Sequence, residues 1–130
     1  MKASLPQLKS LLSSSVLELR FTRRRPKAGQ ALDRRMLCTN AHSLLDSLAG
    51  QAVFGFTQPT QAPKYNPASY NLIFTYDLFM QSFRAVNSES VDVLSVIPIT
   101  TEDEMAEFWE YFNQSLAPMS AEQKQQFMRS

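Results

Sequence analysis

The sequence predicts an α+β fold, a small antiparallel set of five strands led by a short helix and followed by a helical pair. Three observations predict it: two-residue alternation in VLELRFTRR and IFTYDLFMQSFRAV, apolar residues at helical spacing near both ends, and turn-forming residues between these segments. With 130 residues, 44% of them hydrophobic and 19% charged, the chain has the apolar content for one modest core, which argues against wholesale disorder.

Taken in order, Leu5, Leu8, Leu11 and Leu12 follow Ser4 at helical spacing and predict an amphipathic helix over 4–14, with Pro6 tolerated in the first turn. Leu17, Leu19 and Phe21 then alternate with Glu18, Arg20 and Thr22, the period of a half-buried strand. Pro26 and Gly29 mark a turn before RRMLCTN returns as a second strand, so the two form a hairpin with arginines at its tip. Asn40 is expected to cap a helix over 41–49, which Gly50 ends. Three prolines and few aliphatics predict an exposed loop over 57–69. IFTYDLFMQSFRAV predicts a hairpin turning near Asp77 to Met80, and SVDVLSVIPI a further strand that Pro98 restricts to an edge or an end. Thr101 and Glu104 form a capping box ahead of the stripe Met105, Phe108, Trp109, Phe112 and Leu116; Pro118 breaks that helix, and Ser120 with Gln123 caps another. The expected organisation is a helix over 1–15, a β domain over 16–99 and a helical extension over 100–130.

Several function classes are excluded or disfavoured. Three glycines leave no glycine-rich phosphate loop, and no apolar run reaches the roughly 18 residues of a membrane span. Pro6, Gln7 and Lys9 interrupt any secretory apolar core; the basic, serine-rich start also fits an organellar transit peptide, but a folded helix is the preferred reading. A lone cysteine, Cys38, excludes an internal disulfide and suits a reducing compartment, so a cytoplasmic location is expected. Cys38 and His42 lack a third orienting group for catalysis and fall short of the ligands zinc needs, so neither catalytic residue, metal nor cofactor is expected.

Charge is polarised although the net is +1: residues 1–35 hold nine Lys or Arg against two acids, and residues 100–130 hold two against six. Arg20, Arg23, Arg24, Arg25, Lys27, Arg34 and Arg35 are the candidate nucleic-acid contacts, since hairpin-borne cations bind phosphates without reading sequence. The bland reading is a soluble hairpin whose arginines pair with the acidic helix. Candidate protein contacts are Tyr65 and Tyr70 in the proline loop and Trp109, Tyr111, Glu107 and Glu110 on that helix, because aromatics dominate interface energetics. The bland reading there is a stripe that closes the chain's own core.

The segments LELRFTRR, RRMLCTN, FTYDLFMQSFRAV and VLSVI together resemble the strand series of small phage and plasmid SH3-like β-barrel proteins related to the barrel of WYL-type regulators. The matching residues are Arg35, Met36, Leu37, Cys38 and Thr39; Tyr76, Asp77 and Leu78; Ser82, Phe83 and Arg84; and Leu94, Ser95, Val96 and Ile97, within residues 16–99. AVNSESVDV lengthens the last connection and the proline loop is long, so binding surfaces in those loops do not carry over. The resemblance implies an SH3-like barrel and a non-enzymatic binding or regulatory protein of a mobile element, acting in the cytoplasm of an infected or carrier cell. The expected partner is nucleic acid or a polymerase-like assembly; the rival expectation is a protein-only role, as a virion component or an inhibitor of a host or defence protein. No membrane partner is expected.

Overall fold

The computed structural model describes residues 2–22, 28, 33–57 and 66–129. Helix α1 (Leu5–Ser14) leads into β1 (Ser15–Thr22) and β2 (Asp33–Thr39), followed by two short helices, α2 (His42–Leu45) and α3 (Leu48–Phe54). A 3₁₀ turn (Pro67–Tyr70) precedes β3 (Leu72–Asp77), β4 (Ser82–Asn87) and β5 (Val91–Pro98). Helix α4 (Glu102–Tyr111) passes into a π-helical turn (Phe112–Leu116), and α5 (Ala121–Arg129) ends the described chain.

All ladders are antiparallel, in the order β4-β3-β2-β1-β5, so the fifth strand returns to pair with the first. Only three residues, Ser88 to Ser90, join the two outer strands. Four strand spacings put the edges of a flat sheet about 19 Å apart, whereas four Cα steps reach at most about 14 Å. The sheet is therefore curled, its edges drawn together at that corner. It is nevertheless not a closed barrel, and this corrects the expectation: β4 and β5 form no ladder, and β2 pairs with β3 only through Cys38↔Asp77 and Thr39↔Tyr76. A bulge at Leu94, opposite Glu18 and Leu19, further interrupts the β5 edge.

Both sheet faces are covered. Leu17, Leu19, Met36, Cys38, Val86, Val91 and Val93 face α1, which buries Leu8 and Leu12 against them. Val16, Leu37 and Tyr76 face the other way, toward Leu44, Leu45, Phe54, Phe56, Phe108, Phe112 and Leu116. The strand alternation is thus buried on both sides, and β1 supplies residues to both cores.

The helix expected over 41–49 is two helices. Ala41, not Asn40, is the N-cap of α2, while Asn40 donates its side-chain N–H to the Phe74 carbonyl. Ser47 caps α3 by accepting from the Gly50 amide, so Gly50 lies inside a helix rather than ending one. A Cβ there would overlap the Leu44 carbonyl, so only glycine allows α2 and α3 to meet this closely. Gly55, at φ 62°, ends α3 instead.

The capping boxes read from sequence at Thr101 and Ser120 are present, and the structure adds one at Ser4. Ser4 with Gln7, Thr101 with Glu104 and Ser120 with Gln123 each exchange side-chain and backbone hydrogen bonds. Hydrogen bonds from Thr100 and Thr101 hold the Glu104 carboxyl below its ordinary value. Of the loop expected over 57–69, residues 58–65 lie outside the described residues, and its end forms the 3₁₀ turn. No described helix is long and apolar enough to cross a membrane.

Candidate functional site

The β1–β2 ladder runs in register from Leu17↔Cys38 to Thr22↔Asp33, where the Thr22 hydroxyl donates to the Asp33 carboxylate. Residues 23–32, RRRPKAGQAL, which connect the two strands in the sequence, carry four cations and no acid. Arg23, Arg24, Arg25 and Lys27 lie outside the described residues. Arg20 is exposed on β1.

Arg34 and Arg35 sit at the root of the hairpin and, by alternation, on opposite faces of β2. Arg34 donates to Asp77 in a pair whose side chains are 10% and 1% exposed. Asp77 also accepts from the Phe79 and Met80 amides, which fixes the turn after β3. Burial pushes its carboxyl above the ordinary value against the pull of the Met80 amide and Arg34. Arg35 pairs with Glu18 across the β1–β2 ladder. The hairpin arginines that the structure describes as ion-paired are thus neutralised by Asp77 and Glu18, not by the acidic helix that the bland reading proposed.

Because β3 turns away after Asp77, α5 takes the place of a strand neighbour alongside the start of β2. The Phe127 ring lies 4.3 Å from the Arg35 guanidinium and makes an edge contact with Phe79 at 5.2 Å. Met128 accepts from Arg34 through its sulfur, and Lys124 stands 5.7 Å from the Phe79 ring. An open groove of about 620 Å³ separates α5 from the π-helical turn, between Ser115, Pro118 and Met119 on one side and Gln123, Gln126 and Phe127 on the other. Sequence reasoning did not connect α5 with the arginines, since the contact depends on where β3 departs. In the sequence, Phe127 and Met128 merely follow the Ser120–Gln123 capping signal.

The candidate protein contacts separate into two kinds. Trp109 stacks on Phe54 at 5.7 Å and touches Phe108 and Phe112, so it packs, partly buried, against the helix-side core. Glu107 and Glu110 are exposed on α4, as is Tyr111 at 43%. Tyr70, in the 3₁₀ turn, is 60% exposed, and Tyr65 lies outside the described residues.

Cys38 and His42 are not brought together. The thiol is fully buried on the α1 side, and burial pushes it up to about 12. His42 is exposed, pairs with Asp46 at 3.0 Å and meets the edge of Phe56 in the other core. Among the described residues no group of His, Cys, Asp and Glu is arranged to hold a metal ion.

No family model matches the chain. Neither curated proteins nor solved structures give a match either.

Proposed function

We propose that this chain is a non-enzymatic accessory or regulatory binding protein of the phage type, built on an open SH3-like barrel, that contacts nucleic acid or a polymerase-like assembly through the β1–β2 hairpin. The observation that carries the reading is the register of that hairpin: the ladder ends at Thr22↔Asp33, and the ten residues of sequence between its strands, 23–32, hold four cations and no acid. The fold supports it in coarser terms, because a curled five-strand antiparallel sheet with its fifth strand returning to the first is the connectivity of a small open barrel. Binding is sequence-nonspecific, through phosphates, and cytoplasmic.

The test is retention of a labelled oligonucleotide across a salt series. Replacing Arg23, Arg24 and Arg25 together by Ala removes up to three phosphate contacts and lowers the slope of log K against log salt by roughly 2 to 3. Unchanged retention by the triple variant sinks the reading.

A protein partner, a host factor or a phage assembly, is the second reading, favoured by the exposure of Tyr111 beside Glu107 and Glu110. A Tyr111→Ala, Glu107→Lys variant loses such a partner while retaining oligonucleotide; loss of neither, with a partner in hand, excludes this face.

A further inference from the structure

The contacts of α5 with the hairpin root carry an inference that rests on the nucleic-acid reading and extends it to substrate form and regulation. On one side of β2 the Arg35 guanidinium, paired with Glu18, and the Phe79 ring meet around Phe127, and on the other side the buried Arg34, paired with Asp77, lies 5.9 Å from the Phe21 ring. Guanidinium planes and aromatic rings set side by side are what single-stranded nucleic acid uses, because every base has a π face to stack and every link a phosphate to pair. Here those positions are filled from within the chain. The Phe127 ring takes the face of Arg35 and the edge of Phe79, and Met128 takes a donor of Arg34.

The covering helix is lightly held. None of its residues is buried, five of its nine are Glu, Gln or Lys, and the groove beside Met119 and Gln123 separates it from the π-helical turn. Its own capping box, Ser120 with Gln123, lets it remain helical when it moves. Pro118 precedes it at a break between helices. The sheet beneath stays anchored by the two cores, neither of which includes an α5 residue.

We propose that α5 is an autoinhibitory cover in which Phe127 occupies the place on Arg35 and Phe79 that a base of single-stranded nucleic acid takes when the helix lifts. Docking of α5 and binding of the strand are then mutually exclusive, and each weakens the other by the same factor.

The experiment uses the full chain, its Phe127→Ala variant and a fluorescein-labelled oligothymidylate of roughly 20 nucleotides, long enough for a single binding site. Phe127→Ala removes the occupant without touching a cation and tightens retention by roughly three- to tenfold, the scale of one base stacked. Adding Phe79→Ala abolishes that gain. In the unmodified chain, saturating oligothymidylate speeds amide hydrogen exchange across Ala121–Arg129 while the β1 and β2 amides keep their protection, a readout independent of whether the variant folds. Equal retention by the unmodified chain and Phe127→Ala, or slower exchange of α5 when the strand is bound, overturns the cover while leaving the hairpin reading intact. Failure of both proteins to retain the probe even at low salt overturns the hairpin reading and the cover with it.

Discussion

At the scale of single residues, the most consequential side chain is Asp77, which the sequence presents only as the middle of a YDL turn. It is nearly inaccessible and serves three donors, the Phe79 and Met80 amides and Arg34. Two of those bonds shape the turn at which β3 departs from β2, and the third neutralises a guanidinium that is itself nine-tenths buried. Asp77→Asn keeps an acceptor for the two amides but leaves Arg34 without its carboxylate. Breaking a buried pair from one side costs about 3 kcal/mol or somewhat more. Urea unfolding of the variant therefore shows an unfolding free energy lowered by that amount, whereas adding Arg34→Met to Asp77→Asn, which removes the guanidinium and keeps the acceptor for the two amides, restores much of the loss. A stability unchanged by Asp77→Asn alone contradicts this role. The sign of the carboxyl's titration agrees with its burial: with the folded value raised, the folded state holds the proton more readily than the unfolded chain, so the contribution of Asp77 declines as pH rises through that window.

At the scale of elements, what was legible in the sequence is what local chemistry determines. The capping boxes at Thr101 and Ser120, the alternation of β1 and the Phe108–Phe112–Leu116 stripe are each set by neighbours within one turn or one strand, and each appears where the sequence puts it. What was not legible are contacts between elements. Gly50 has the look of a helix terminator, yet its missing side chain serves the approach of α3 to the Leu44 carbonyl of α2. The arginines of RRMLCTN have the look of a binding cluster, yet their counter-charges come from Glu18 across the ladder and Asp77 across the sheet. Trp109 stands on an acidic helix, but the ring it stacks on, Phe54, is 55 positions away and invisible to any periodicity. Gly50 gives the sharpest check at this scale. Gly50→Ala forces α2 and α3 apart, and overpacking of that kind costs roughly 1–3 kcal/mol, in contrast to the gain of a few tenths or more that the same change brings in an unobstructed helix. Thermal unfolding of Gly50→Ala is accordingly lowered, and a raised melting temperature contradicts the close approach.

At the scale of the whole molecule, the curled sheet divides the interior into two cores that share a strand. Val16 contributes to the helix-side core, and Leu17 and Leu19, its neighbours in β1, to the α1-side core. Neither core can be lost while β1 keeps its ladders with β2 and β5, so the two are expected to melt as one cooperative unit. The chain carries its own reporters for this. Trp109, the only tryptophan, lies against the helix-side core, and Cys38, the only cysteine, is buried in the other. Held as a thiol by its burial, Cys38 reacts with an alkylating reagent only when its core opens. Trp109 fluorescence and pulsed labelling of Cys38 along a urea gradient therefore report the same midpoint, and two separated midpoints contradict the shared-strand architecture. Leu12→Ala tests the coupling from one side, since it excavates the α1-side core, far from the tryptophan. A buried Leu→Ala change costs about 2–5 kcal/mol, which at a urea dependence of about 1–3 kcal/mol per molar lowers the midpoint by roughly 1–2 M. Because β1 links the cores, the Trp109 transition moves by the same amount as the Cys38 transition.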